Sequence, residues 1–193
     1  MFCLRHQKSK YRRKRGTCTR NAFNKGLKVR RIEERPQVVD DRVRVGDWEN
    51  DTVIGKEKKQ RILTSVERKS GFALASKLDV VTADIVHEKE VEIFKKIPRR
   101  KRHTMTRDNG VEFGDTDRNL ELKTKIKVYR ANPYHSWERG SNENWNGLLR
   151  QYFPKGMYFV TIKQVQITKA VRALNGRPRK RHNYSTPREV FNV

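Results

Sequence analysis

Polar and apolar positions alternate along "GDWENDTVIG" (residues 46–55), which places Asp47, Glu49, Asp51 and Val53 on one side of an extended strand and Trp48, Asn50, Thr52 and Ile54 on the other. "RILTSVERKS" and "GFALASKLDV" follow and meet at Ser70-Gly71 as a hairpin would, so the three stretches predict an antiparallel meander. The period then changes. Ala83, Val86, Ile93, Phe94 and Ile97 share one helical face, with Thr82 placed to cap the helix and Pro98 to end it. "HTMTRDNG" predicts a short strand running into an Asn-Gly turn, and "KIKVYRANP" a further strand after an acidic, poorly periodic connection read as a weak helix. Two helices follow. One aligns Trp145, Leu148, Leu149 and Tyr152 on an apolar seam; the other aligns Ile167, Ala170, Val171 and Leu174, with Gly176 as its C-cap. "TPRE" at 186–189 is a capping box with proline at the first helical position. The order predicts an α/β chain, a mixed sheet with helices on its faces.

Before Pro36 this patterning is missing. Residues 1–36 hold 13 Lys and Arg against two acids, and "KSKYRRKRG" shows no apolar period. Like charges at that density repel one another, so this stretch reads as an extended basic arm or linker, and 37–193 as one domain. The whole chain of 193 residues carries a formal net charge of +24. Such an excess calls for a densely anionic partner, and nucleic acid is the commonest. An anionic membrane is the rival, but no apolar run reaches the length of a spanning helix and there is no apolar leader, so the expectation is a soluble, cytoplasmic, nucleoid-associated protein. Cys3 and Cys18 with His6 are too few and too loosely spaced for a zinc pattern or a disulfide framework.

Most of the acids sit beside Lys or Arg, where a solvated ion pair accounts for them. Three do not. Asp51 lies inside the first strand, next to an apolar run. Asp108 ends "HTMTRD", the strand end at which open α/β sheets place ligands. Glu143 lies away from the apolar seam of its helix, on a stripe with Asn142, Asn146 and Arg150. Three carboxylates from two strands and a helix suit hard cations, and on a nucleic-acid-binding protein a pair of magnesium ions, with manganese as substitute, supports phosphoryl transfer. That chemistry requires the three groups to converge on ions about 4 Å apart. Asp47 and Glu49 share the face of Asp51 but are expected at the exposed start of the strand. Glu138, before the flexible Gly140, is expected in a mobile loop. Tyr134, His135 and Trp137 are either base-stacking residues or a packed loop.

"GDWENDTVIGK", "TRDNGVEF", "NPYHSWERGSNENWNGLLRQYFPKG" and "LNGRPRKRHNYSTPREVF", in this order, resemble the catalytic half of insertion-sequence-thirty family transposases, members of the DDE transposase and retroviral-integrase superfamily. The resemblance spans roughly residues 30 to 193. It implies an RNase H-like fold and a W-x-x-D first acid, Asp51 after Trp48, with Asp108 and Glu143 as the second and third members of a catalytic, metal-holding triad. Arg150 matches the basic residue that the superfamily places along the helix toward DNA. Arg139, Asn142, Asn146 and Lys155 join it as expected DNA contacts, and Arg12, Arg13, Lys14 and Arg15 serve the same role in the arm. The family implies transposon ends and target DNA as substrates and a homo-oligomer assembled on them. Relatives carry an N-terminal helix-turn-helix region, so a chain opening at Met1 inside the linker reads as truncated; the Asp108–Glu143 interval is slightly long and the stretch from Met157 to Gln164 short. The alternatives are a non-catalytic basic nucleic-acid-binding protein and an inactive transposase fragment.

Overall fold

The computed structural model describes residues 29–193 apart from Tyr134. The basic block Arg12–Arg15, and Cys3, His6 and Cys18, lie outside the described residues. After a short helix α1 (Gln37–Asp40), the meander forms as its alternation predicts: β1 (Asp47–Ile54), β2 (Arg61–Glu67) and β3 (Ala73–Leu78). Then come α2 (Ala83–Lys95), β4 (Thr104–Arg107), α3 (Asp117–Thr124), β5 (Lys127–Arg130), α4 (Gly140–Leu149), α5 (Gln164–Asn175) and α6 (Pro187–Asn192). Among the described residues one five-stranded sheet forms, in the order β3-β2-β1-β4-β5. β1 and β2, and β2 and β3, pair antiparallel; β1 and β4, and β4 and β5, pair parallel. This is the RNase H-like arrangement.

The helix ends follow from local chemistry. Thr82 Oγ1 accepts from Ile85 N at 3.3 Å and caps α2. Thr186 accepts from Glu189 N at 3.2 Å while the Glu189 carboxylate accepts from Thr186 N, so the capping box closes α6 with Pro187 at its first position. Gly71, at φ +71, turns β2 into β3 in a conformation that side chains rarely adopt.

Two apolar layers hold the sheet. Val53, Ile62 and Val66 pack against Trp145, Leu148 and Leu149 of α4 and Ile167, Val171 and Leu174 of α5. On the opposite face Trp48 meets Phe94 of α2 edge-on at 5.1 Å and Phe191 of α6 at 5.7 Å. Tyr152, expected on the α4 seam, is 38% exposed. The helix ends at Leu149 and the chain turns, so Phe153 takes that place in the core instead.

Residues 30–35, within the stretch that reads as arm, are tied to the sheet. Arg31 bridges Arg130 in parallel pairing, and the buried Arg35 guanidinium donates to Thr106 Oγ1 at 2.8 Å and to Asp40 Oδ1 at 2.5 Å. Behind β4 lies a second charged cluster. The fully buried Arg107 donates to Glu90 at 2.7 Å and to Asp117 at 3.1 Å, and Arg130 donates to Asp117 at 2.7 Å. Burial pushes the Glu90 carboxyl upward and Arg107 opposes the rise.

Two substitutions test these layers. Leu149→Ala is expected to cost about 2–5 kcal/mol of stability, whereas Tyr152→Ala stays within about 0.5 kcal/mol; urea unfolding of both variants checks the contrast. Glu90→Gln leaves the buried Arg107 with Asp117 as its remaining carboxylate partner and is expected to destabilise the fold by about 1–3 kcal/mol, measured the same way.

Candidate active site

β1 is a central strand, with β2 on one side and β4 on the other, and its acidic face is turned toward α4. The expectation that Asp47 and Glu49 lie at an exposed strand start is wrong: they are 1% and 0% exposed. Each has a structural task. Asp47 pairs with Arg44 at 3.0 Å and accepts from Thr104 Oγ1 at 2.7 Å. Glu49 pairs with Arg68 at 2.5 Å and accepts from Asn142 N at 2.8 Å. Neighbouring strands screen both from water, which alternation along β1 alone does not reveal.

Asp51, next on that face, is 27% exposed at its side chain. The parallel register pairs Asp47 with Thr104 and Glu49 with Thr106. The pairing ends there and β4 ends at Arg107, so Asp51 lies two residues past the last pair on β1 while Asp108 is the first residue beyond β4. Arg139, from the turn that leads into α4, lies between them, with Nη1 3.5 Å from Asp51 Oδ2 and Nη2 3.5 Å from Asp108 Oδ2. Asp51 also accepts from Thr52 N at 2.8 Å and from Asn146 Nδ2 at 3.0 Å. Burial pushes its carboxyl up to about 6; Arg139 opposes the rise and the charge of Asp108 adds to it.

Asp108 is held from behind. Arg130 of the buried cluster donates to its carbonyl at 3.0 Å, Asn109 Nδ2 donates to Ala131 O at 2.7 Å, and Asp108 Oδ1 accepts from Gly110 N at 2.9 Å. A Cβ on Gly110 would meet Asp108 Oδ1 at 2.8 Å and Glu112 Oε2 at 2.5 Å, so the turn accommodates its two carboxylates by having no side chain there. Glu112 was not singled out by sequence reasoning, though it stands in the quoted "TRDNGVEF". It pairs with Arg61 at 2.6 Å and accepts from Thr52 Oγ1 at 2.9 Å.

Glu143, Asn146, Arg150 and Lys155 line a cavity of about 820 Å³ together with Thr52 and Val53. Glu143 is exposed there, one helical turn before the Asn146 that reaches Asp51. The structure thus joins Asp51 and Asp108 through one guanidinium and sets Glu143 on the adjoining wall. Among the described residues no three Asp, Glu, His or Cys side chains form a ready-made metal cage. Arg150 is half-buried and donates to Ile54 O at 2.9 Å, with its guanidinium 5.9 Å from the Phe159 ring centre.

Asn142 does not belong to this groove. It is fully buried, donating from Nδ2 to Glu49 O at 2.9 Å and accepting from Thr64 Oγ1 at 3.1 Å. Standing three residues before Trp145 and seven before Leu149, it shares their buried face, and its polar character concealed that periodicity. Glu138 is tied down rather than loose, accepting from Asn132 N at 2.8 Å. Trp137 is 66% exposed beside His135, so the loop aromatics are not a packed hydrophobic cluster; Tyr134 lies outside the described residues.

No protein-family model matches the chain. It is 45% identical over 160 residues to the transposase of insertion sequence element IS4351 of Bacteroides fragilis, covering 83% of this chain and 48% of that protein. Transposase InsI of element IS30A of Escherichia coli is 37% identical over 162 residues, covering 83% of this chain and 41% of its own length. The chain is similar to transposases of several insertion sequence elements, IS30A among them. It spans about half the length of the curated relatives it matches. A chain of the simian T-cell lymphotropic virus intasome, solved by cryo-electron microscopy with the PP2A regulatory subunit B56 gamma, superposes with a TM-score of 0.64 at 18% identity, over 78% of this chain and 57% of that one.

The Asp51 carboxyl gives the chain a pH signature. Its folded-state value of about 6 lies above the ordinary 3.8, so between those pH values the folded chain binds the proton more tightly than the unfolded chain. Stability is therefore lost as pH rises through that window and stays lost above it. Asp51→Asn removes the loss: with a chelator present, its melting temperature is expected to exceed the parent's at pH 8, and the gap to close below pH 4.

Proposed function

We propose that this chain is the catalytic core of a DDE transposase, carrying out magnesium-dependent phosphodiester hydrolysis and strand transfer at transposon ends, with Asp51, Asp108 and Glu143 as the metal-holding catalytic residues. The observation that carries the reading is one guanidinium, that of Arg139, lying 3.5 Å from Asp51 of β1 and 3.5 Å from Asp108 just past β4, in a chain similar to transposases. A guanidinium 3.5 Å from each carboxylate stands where those charges call for a cation, and the donors are hard oxygens of the kind magnesium takes. Asn146 Oδ1 adds a buried acceptor with no partner at the edge of the same cleft.

Bound magnesium would activate the attacking water or 3′-hydroxyl and stabilise the leaving oxygen of an in-line displacement. The chain's own groups do the rest. Asp51 and Asp108 supply fixed oxygens, held by Asn146 on one side and by the Gly110 turn on the other. Arg139 exchanges its carboxylates for backbone phosphate as DNA enters. Glu143, exposed on α4, closes the set from the adjoining wall. Arg150 and Lys155 hold the phosphodiester backbone in line, and the exposed Trp137 offers a surface on which an unpaired base stacks. The substrate is DNA, at transposon ends and target, and assembly on it brings copies of the chain together.

That no three Asp, Glu, His or Cys side chains of the described residues gather as a metal cage favours a second reading, a basic nucleic-acid-binding protein without chemistry. Strand transfer with pre-cut ends decides between them. Asp51→Asn, Asp108→Asn and Glu143→Gln are each expected to abolish joining in magnesium or manganese while leaving duplex affinity nearly unchanged. Arg150→Ala is expected to weaken substrate positioning and spare manganese affinity measured by calorimetry. Manganese binding Asp51→Asn and Glu143→Gln as tightly as the parent would sink the metal-holding assignment.

A further inference from the structure

The opposite flank of α4 carries a second cavity, of about 330 Å³, whose lining includes Arg42, Arg179, Lys180 and Arg181. No carboxylate lines it among the described residues. Arg42 precedes β1 and the other three follow α5; Glu67 and Glu49 act on Arg181 from outside the lining, and within the cavity the cations face one another. Arg179 is held by Leu174 O at 3.2 Å, so its guanidinium is positioned before any ligand arrives. Arg42, at φ 54, and Asn183 and Tyr184, at φ 49 and 66, put left-handed backbone beside the cations on both sides.

The floor of this cavity is the first turn and a half of α4. Ser141, 8% exposed, and Trp145, 2% exposed, both line it. Their buried donors, Ser141 Oγ and Trp145 Nε1, have no hydrogen-bond partner among the described residues. A buried indole N–H and hydroxyl left unpaired are costly, and Ser141 lies in the first turn of a ten-residue helix, where the backbone dipole favours negative charge, with Trp145 one turn further along. Trp48, by contrast, satisfies its indole with Lys101 O at 3.0 Å.

The geometry points to a phosphate-binding pocket, formed by Ser141 and Trp145 beneath Arg42, Lys180 and Arg181, that takes a backbone phosphate of a nucleic-acid strand on the flank of α4 away from Asp51. The cleft beside Glu143 and this pocket share Gly140 and Asn144, so one helix separates two anion-accepting grooves. The assignment adds a DNA contact to the reading above but does not depend on metal chemistry.

Indole N–H resonances of the full chain test it, in chelator, with a short DNA duplex and with inorganic phosphate as separate probes. The Trp145 signal is expected to shift on adding duplex while the Trp48 signal, already bonded, stays in place and reports an intact fold. Lys180→Ala and Ser141→Ala are expected to suppress that shift, and Lys180→Ala to lower the slope of log affinity against log salt by about 1. A Trp145 signal unmoved by duplex, or moved equally in Lys180→Ala, overturns the pocket. A shift with inorganic phosphate that duplex does not compete away overturns the nucleic-acid source. Loss of joining in Glu143→Gln with the Trp145 shift retained separates this pocket from the catalytic assignment.

Discussion

Three acids on one face of the central strand each require a cation, and the fold is arranged to provide three. Asp47 takes Arg44, Glu49 takes Arg68, and Asp51 takes Arg139. A carboxylate in the sheet interior is tolerable only when paired and hydrogen-bonded. The first two pairings are close, at 3.0 and 2.5 Å, and are reinforced by Thr104 and by the backbone of Asn142. They fix the loop before β1, the β2–β3 turn and the start of α4 against one strand. The third, at 3.5 Å, is the looser one, and its guanidinium is shared with Asp108. Along one strand, charge pairing thus grades from scaffold to site.

The second carboxylate is presented by an independent device. Glu90, Arg107, Asp117 and Arg130 form a buried network on the far face of the sheet, and its last member holds the Asp108 carbonyl. Asn50, which alternates with Asp51 along β1, donates to Glu90 at 2.7 Å, so the two faces of that strand connect the site to its support. Such a network fixes geometry more than it adds stability. It explains how a four-residue strand can hold the Asp108 turn steady.

Around this centre the chain's positive charge is not spread evenly. Arg150 and Lys155 line the cleft beside Glu143, while Arg42 and Lys180 line the other flank of α4. A helix fixed from behind by Trp145, Leu148 and Leu149 and edged by cations on both flanks is suited to holding a polyanion across its exposed rim.

The sequence by itself determined the elements and their local ends. Period-two alternation produced the meander, helical period produced α2, α4 and α5, and Thr82 and Thr186 capped what they were placed to cap. It also set the side of β1 on which Asp51 lies, because successive strand residues face opposite ways whatever surrounds them. Burial was decided elsewhere. Only the position of β1 between β2 and β4 put Asp47 and Glu49 out of reach of water, and only the lean of α4 on the sheet turned Asn142 inward. The guanidinium between Asp51 and Asp108, and the lining of one cavity by both Arg42 and Lys180, bring together residues far apart in the chain. Local periodicity is a property of sequence neighbours, whereas charge pairing and burial depend on neighbours that only the folded chain supplies.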